Sequence, residues 1–212
     1  AAMEKNRMNP NSVVDDKPIK IGSWQPKNAD GRYLGPIPLS TALASSRNMV
    51  SIRLLQSIGN DYFRSYAERF GFEGKRIDKY LTVALGAIEA TPYQIVGAYG
   101  VFANGGYKVD PYFIKKVVDR SGTVILEAKP RLANDEKNRV ITKENAAMTD
   151  ALLKGVVRGG TARAASALGR SDIAGKTGTT NDSVDAWFAG YQPKLVAVAW
   201  MGFDTGNKSL GE

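Results

Sequence analysis

Residues 176–180, Lys-Thr-Gly-Thr-Thr, place one cation, one glycine and three hydroxyl groups next to one another. Such a segment can offer an ammonium group, hydroxyl donors and backbone N–H groups to an anionic ligand. Gly178 allows a ligand to approach the main chain closely. The alternative is a polar strand end that runs into a turn at residues 181–182, and the segment alone supports both interpretations equally.

Ser46 and Asn48 form a second candidate pair, two residues apart between two predicted helices. At a helix junction these residue types are ordinarily N-caps, which is the structural alternative to a chemical role. Together with a downstream Lys-Thr-Gly on a predicted strand, they match two of the three motifs S-x-x-K, S-D-N and K-T-G of β-lactamases and penicillin-binding proteins. Each motif is weak alone, but their order and placement make the combination specific.

The chain contains no histidine and no cysteine among its 212 residues. This composition excludes a Ser-His-Asp triad, a cysteine nucleophile and zinc held by histidine or cysteine. If side chains of this chain carry nucleophilic catalysis, the proton carrier must be a lysine or a carboxylate. We expect no cofactor and no metal.

The net charge of +8 arises from 29 basic and 21 acidic residues that are scattered along the sequence. No basic stripe is interleaved with stacking aromatic residues, so the charge does not indicate nucleic-acid binding. The longest apolar run, residues 195–203, is too short to cross a bilayer, and the first residues lack the apolar core of a signal peptide. The absence of cysteine leaves the compartment open.

Helices in the middle of the chain and strands at its end predict one α+β domain, in which an antiparallel sheet packs against a helical layer. Thr91 and Gln94 form a capping box before one helix. The predicted helices cover residues 39–43, 49–58, 61–70, 92–103 and 143–157, and the predicted strands cover 19–21, 112–119, 123–128, 176–180, 185–191 and 195–203.

These features resemble the transpeptidase domain of bifunctional (class A) penicillin-binding proteins over nearly the whole chain. The resemblance implies the α+β fold that these proteins share with serine β-lactamases, in agreement with the pattern of elements. The matching stretches are residues 45–55, 84–86, 91–92, 99–106, 160–162, 175–181 and 185–190.

One motif of that family is absent, because no serine of this sequence is followed by a lysine three residues later. In the family the S-x-x-K motif supplies the nucleophilic serine and its base. We therefore expect both to lie outside this chain, on a helix that continues into residues 1–8. Residues 1–212 are then the C-terminal part of a transpeptidase domain, and the family's last helix, glycosyltransferase domain and membrane anchor also lie outside them.

The resemblance implies catalytic roles for Ser46, Asn48 and Lys176. Ser46 relays a proton towards the leaving nitrogen, assisted by Lys176, and Asn48 presents its amide to a carbonyl of the substrate peptide. Lys176 also supplies positive potential near the terminal carboxylate of a D-Ala-D-Ala stem peptide.

A substrate-binding role is implied for the three residues that follow Lys176. The hydroxyl groups of Thr177 and Thr179 can bind the carboxylate, and Gly178 lies between them. The backbone N–H of Thr179 is implied as one of two oxyanion donors, the other belonging to the missing serine.

For five residues near these motifs, a structural role is weighed against a role in binding substrate. Arg47 is expected to be exposed and structural. Trp187 and Phe188 are interpreted as sheet core rather than substrate contacts. Thr180 and Asp185 are left open between orienting the strand and touching substrate.

The function implied by the resemblance is a serine-type D,D-transpeptidase that cross-links peptidoglycan stem peptides and is acylated by β-lactams. Its implied location is the periplasmic face of the inner membrane, with cell-wall synthesis proteins as further partners. Two alternatives stay open. One is a D,D-carboxypeptidase or serine β-lactamase, in which water deacylates the enzyme quickly, and the other is a non-catalytic module that binds muropeptides.

Overall fold

The computed structural model describes residues 1–205 and 208–211. Six helices and seven strands lie within these residues, with short 3-10 turns between several of them. In chain order they are α1 (Ala2–Lys5), β1 (Val13–Asp15), β2 (Pro36–Pro38), α2 (Leu39–Ala44), α3 (Asn48–Ile58), α4 (Asn60–Arg69), α5 (Pro92–Ala103), β3 (Lys116–Val118), β4 (Val124–Glu127), α6 (Lys143–Gly159), β5 (Ala174–Thr179), β6 (Asp185–Gln192) and β7 (Leu195–Gly202).

The last three strands form an antiparallel sheet in the order β5-β6-β7, and α5 and α6 pack against it. Leu153 of α6 packs with Ala174 and Tyr191 of the sheet, and Tyr99 and Phe102 of α5 close this cluster. Burying these apolar side chains between the layers is the main favourable term that holds helices to sheet. The predicted α+β fold, a helical layer against an antiparallel sheet, is confirmed.

Helix α2 connects the helical layer to the part of the sheet that carries β5. It packs against α6, which in turn packs against β5. Leu43 of α2 contacts the cluster around Leu153 and also the cluster formed by Val156, Val157 and Ala162. The end of α2, and with it the segment that begins at Ser45, is therefore held next to β5.

Local sequence signals correctly indicated where helices begin. Thr91 and Gln94 form the reciprocal capping box of α5, and Thr142 accepts a hydrogen bond of 3.1 Å from the backbone N–H of Asn145 at the start of α6. The hairpin of β3 and β4 is present but shorter than predicted. None of the helices in the described residues has the length and apolarity needed to cross a membrane.

The predicted strand at residues 19–21 is wrong. Only Ile21 takes part in β pairing there, through a single bridge to Trp24. The strand of this region is β1, whose Val14 pairs with Ile37 of β2. Val14 and Ile37 pack in one apolar cluster, whereas residues 17, 18 and 20 are exposed and bury nothing.

Candidate active site

Lys176 of β5 contacts Ser46, although 130 residues separate them in the sequence. The Lys176 Nζ donates one hydrogen bond to Ser46 Oγ and another, 2.8 Å long, to the carbonyl oxygen of Thr177. Both Lys176 and Ser46 are half-buried. Burial lowers the pKa of the Lys176 ammonium group from its ordinary value, because the charged form is less well solvated there. Two of the residues predicted to form the site are thus in direct contact.

A tight turn after α2 positions Ser46. Its φ of +51° lies in the left-handed region, which few residues other than glycine adopt. The turn is closed by the backbone N–H of Ser46, which donates to Leu43 O at 3.1 Å, and by that of Arg47, which donates to Ala42 O at 2.9 Å. This reversal ends α2 and allows the Ser46 hydroxyl to meet β5.

Asn48 is the first residue of α3 and is half-buried. Its side-chain Nδ2 donates to the carbonyl oxygen of Lys27 at 2.8 Å. Since an amide nitrogen carries two hydrogens, one remains for a ligand. The helix is capped from outside this turn, because Asn28 Oδ1 accepts the backbone N–H of Asn48 at 2.8 Å. Neither Ser46 nor Asn48 therefore serves as the simple N-cap that was the structural alternative.

Arg47 is only 5% exposed, so the expectation that it lies on the surface is wrong. Its Nε donates to Asp16 Oδ2 at 2.8 Å, and its Nη1 donates to Asp30 Oδ2 at 2.9 Å. The loop that carries both carboxylates covers the guanidinium and provides the ion pairs that a buried arginine requires. The expected structural role of Arg47 agrees with these contacts.

Strand β5 presents one edge of the sheet to the site. Among the described residues it pairs with β6 alone. The N–H of Thr180 donates to Asp185 O of the β6 side at 3.1 Å, and since successive N–H groups alternate in direction, that of Thr179 faces the unpaired edge. The Thr177 hydroxyl donates to Thr161 Oγ1 at 2.7 Å, which adds a residue that motif reasoning did not assign to the site.

Gly178 and Gly175 of β5 differ in how much space a side chain would find at each position. A Cβ on Gly178 would lie 3.4 Å from Trp187 Cβ, at the close end of van der Waals contact. A Cβ on Gly175 would lie 2.7 Å from Phe188 Cζ and 2.9 Å from Ala189 O, which neither group can accommodate without moving. Gly175 is therefore needed for the strand pairing that places Lys176, and sequence reasoning gave it no role.

Thr180 and Asp185 connect the end of β5 to the start of β6. The N–H of Asp185 donates to Thr180 Oγ1 at 2.7 Å, and Trp200 Nε1 donates to Asp185 Oδ1 at 2.8 Å. Phe188 packs with Val156 in an apolar cluster, as expected for a residue of the sheet core. These contacts favour the strand-orienting interpretation of Thr180 and Asp185.

The arrangement can relay a proton and bind an anion. Because Ser46 Oγ accepts from Lys176, its own hydroxyl hydrogen can be donated elsewhere, and Lys176 can replace it. The half-buried ammonium group and the hydroxyl and N–H of Thr179 lie along one strand and offer donors to a carboxylate or an oxyanion. The Thr177 hydroxyl can join them when it turns away from Thr161. The described residues contain no cluster of acidic, histidine or cysteine side chains suited to hold a metal ion.

The family model of the penicillin-binding protein transpeptidase domain matches residues 1–207. The chain therefore belongs to the penicillin-binding protein transpeptidase domain family. Within it, the chain is 48% identical to penicillin-binding protein 1A of Neisseria lactamica over 218 residues, which cover 100% of this chain and 27% of that protein. It thus spans about a quarter of the length of the curated relatives it matches.

Two solved structures show the same similarity. Penicillin-binding protein 1A from Haemophilus influenzae superposes with a TM-score of 0.86 at 34% identity, covering 96% of this chain and 36% of that chain. The D,D-transpeptidase domain of a peptidoglycan glycosyltransferase from Eggerthella lenta superposes with a TM-score of 0.78 at 26% identity. The superposition covers 94% of this chain and 56% of that chain. The resemblance inferred from the motifs is confirmed.

Proposed function

We propose that residues 1–212 form the C-terminal part of a D,D-transpeptidase domain, which transfers the peptidyl group of a D-Ala-D-Ala stem peptide through a serine acyl-enzyme. The hydrogen bond from Lys176 to Ser46 supports this most strongly, because it joins two of the three family motifs in one site. The sequence lacks S-x-x-K, so the attacking serine and its lysine base lie outside these residues. The whole protein is also a glycosyltransferase, anchored in the inner membrane and facing the periplasm.

In the acylation step, the external serine attacks the carbonyl carbon of the penultimate D-alanine, and its own proton passes to its lysine base. The C–N bond to the terminal D-alanine breaks, and the leaving nitrogen must gain a proton. Ser46 Oγ gives that proton, and Lys176 restores it through the hydrogen bond between them. An amino group of a second stem peptide then attacks the acyl carbon, and the ester bond to the serine breaks as the cross-link forms. The serine oxygen takes back its proton from its lysine base, and the proton that the amine loses returns to Lys176 through Ser46.

The same strand binds the substrate. Lys176 supplies the positive potential for the terminal carboxylate, whose oxygens accept from the hydroxyl of Thr179 and from that of Thr177 once it turns away from Thr161. The Thr179 N–H stabilises the oxyanion, and removing one such donor typically costs about 3 kcal/mol of transition-state stabilisation. Gly178 keeps the main chain accessible, and the free amide hydrogen of Asn48 meets a peptide carbonyl. A β-lactam, which also carries a carboxylate and a reactive acyl group, occupies the same donors.

The test is labelling with a fluorescent penicillin, performed on a polypeptide that carries these residues together with an S-x-x-K serine. We expect a covalently labelled band on a denaturing gel and cross-linked product from stem peptides. Rapid release of the label by water would instead indicate a β-lactamase, and a cleaved but uncrosslinked peptide would indicate a carboxypeptidase. A folded protein with no label would contradict the proposal and leave the muropeptide-binding module.

The pH dependence of acylation is expected to report Lys176. Because burial lowers its pKa, Lys176 loses its charge at a lower pH than an exposed lysine, whose pKa is about 10.4. As pH rises through this lowered pKa, the ligand carboxylate loses its cation and the second-order rate constant of acylation falls. Rates measured from neutral pH upwards should therefore show an alkaline limb below about pH 10.4.

Lys176→Arg is the matched variant for this limb. The guanidinium stays charged because its pKa is above about 12, so the limb should disappear even if the overall rate is lower. A limb that remains at the same pH in Lys176→Arg would assign the titration to another group and contradict the role of Lys176.

A further inference from the structure

A buried polar cluster, formed by Asp16, Asn28 and Arg47, lies directly beside the turn that carries Ser46. These three residues are 0%, 3% and 5% exposed, respectively. Asn28 Nδ2 donates to Asp16 Oδ1 at 2.9 Å, and Arg47 Nε donates to Asp16 Oδ2 at 2.8 Å. Since Asp16 Oδ2 also accepts the backbone N–H of Leu34 at 3.0 Å, this carboxylate receives three donors.

The Arg47 guanidinium is fixed in three directions. Besides Asp16, its Nη1 donates to Asp30 and its Nη2 donates to the carbonyl oxygen of Arg32. A planar guanidinium group that is hydrogen-bonded on several sides can rotate very little. The backbone of residue 47, between Ser46 and Asn48, is therefore held to the loop that carries Asp16 and Asp30.

Asn28 holds the other side of the same turn. Its Oδ1 accepts the backbone N–H of Asn48 at 2.8 Å and that of Met49 at 3.4 Å, while the neighbouring Lys27 O accepts from the Asn48 side chain. The start of α3 and the direction of the Asn48 amide thus depend on this loop rather than on a cap within the turn.

The backbone of Ser46 shows why such support is needed. A left-handed conformation in a residue other than glycine persists only where the surroundings impose it. A buried ion pair is a weak source of stability, since well-packed apolar replacements are often neutral or stabilising. The cluster is therefore better explained by the geometry that it imposes on the turn than by the stability that it adds.

We infer that Asp16, Asn28 and Arg47 are positioning residues for acyl transfer: they hold the Ser46 hydroxyl and the Asn48 amide in place against Lys176. This inference rests on the proposed function, because it concerns the residues that relay the proton and bind the peptide carbonyl. The cluster touches no reacting atom and acts only through the turn.

The test is the double variant Asp16→Leu/Arg47→Met, made in the polypeptide that also carries the S-x-x-K serine. Replacing both charges leaves no unpaired buried ion, so we expect a folded protein. Its melting temperature should fall by no more than a few degrees, because only Asn28 and the Leu34 N–H lose a bond to Asp16. The rate constant of acylation by a β-lactam should fall about 10- to 100-fold through misplacement of Ser46 and Asn48. Affinity before acylation should fall less, because the carboxylate donors of β5 are untouched.

Asp15→Asn is the matched control. Asp15 precedes Asp16 but pairs with Lys17 at the surface, 3.2 Å away, and the variant should acylate within about twofold of wild type. Arg47→Lys keeps the charge but loses the planar set of donors. Its acylation rate constant should lie between those of wild type and the double variant.

Wild-type acylation in a folded double variant would overturn this inference while leaving the proposed function intact. If the double variant is unfolded at the assay temperature, the acylation rate constant of Arg47→Lys is the test. A wild-type value for that variant would overturn the inference. Failure of the wild-type protein to be labelled is a separate outcome, which overturns the proposed function and this inference with it.

Discussion

Replacing Lys176 by alanine is expected to lower the second-order rate constant of β-lactam acylation about 10²- to 10³-fold. The variant removes the cation for the ligand carboxylate and the donor that restores the proton of Ser46. Stopped-flow measurement with a chromogenic β-lactam, on the polypeptide that carries the S-x-x-K serine, gives this rate constant directly.

The fold should tolerate that substitution. Burial already disfavours the Lys176 charge, so its loss offsets part of the lost hydrogen bonds, and the melting temperature should change by no more than about 4 °C. Lys108→Ala is the control, because Lys108 is also half-buried with a pKa lowered by burial but lies beside Gly71, outside the site. Normal acylation in Lys176→Ala, together with a large drop in melting temperature, would contradict the placement of Lys176.

Gly160→Ala is expected to cause the largest loss of stability among the single substitutions considered. A Cβ at this position would lie 2.3 Å from Ala44 O and 2.9 Å from Val156 Cα, and backbone atoms cannot rotate away. Overpacking of this kind typically costs about 1–3 kcal/mol, which urea unfolding would detect. Because Ala44 precedes the turn at Ser46 and Thr161 contacts Thr177, the acylation rate should fall as well.

Gly155→Ala, within α6, is the matched control for Gly160, which directly follows the end of that helix. A Cβ at Gly155 meets nothing within 4 Å, so alanine should raise the free energy of unfolding by about 0.5–1 kcal/mol through its better helix propensity. If Gly160→Ala were as stable as wild type, the ends of α2 and α6 would not be in the close contact that positions Ser46 against β5.

The elements that were predicted well depend on neighbouring residues. The capping box of Thr91 and Gln94 and the cap at Thr142 act within one helical turn, so the sequence alone indicates where α5 and α6 begin. The apolar runs of residues 185–191 and 195–203 likewise indicated the strands β6 and β7. The contact between Ser46 and Lys176 spans 130 residues, and only the combination of motifs predicted it.

The surroundings of the site could not be predicted because they depend on residues that are distant in the sequence. Arg47 is buried only because Asp16 and Asp30, 31 and 17 residues earlier, fold over it. Likewise, Gly175 is required by Phe188 on the neighbouring strand, and the strand at Val14 is fixed by Ile37. A local pattern assigns a lone arginine between two polar residues to the surface, since arginine is rarely buried unless it is paired.

We propose that the site in this chain is one part of an acyl-transfer centre, completed by a serine that lies outside residues 1–212. The most direct measurement is to locate the penicillin adduct by digestion and mass spectrometry of the labelled, longer polypeptide. We expect an adduct on the serine of an S-x-x-K motif outside these residues. An adduct on Ser46, or on any other serine of the 212-residue sequence, would contradict it and make the proton relay proposed here the nucleophile instead.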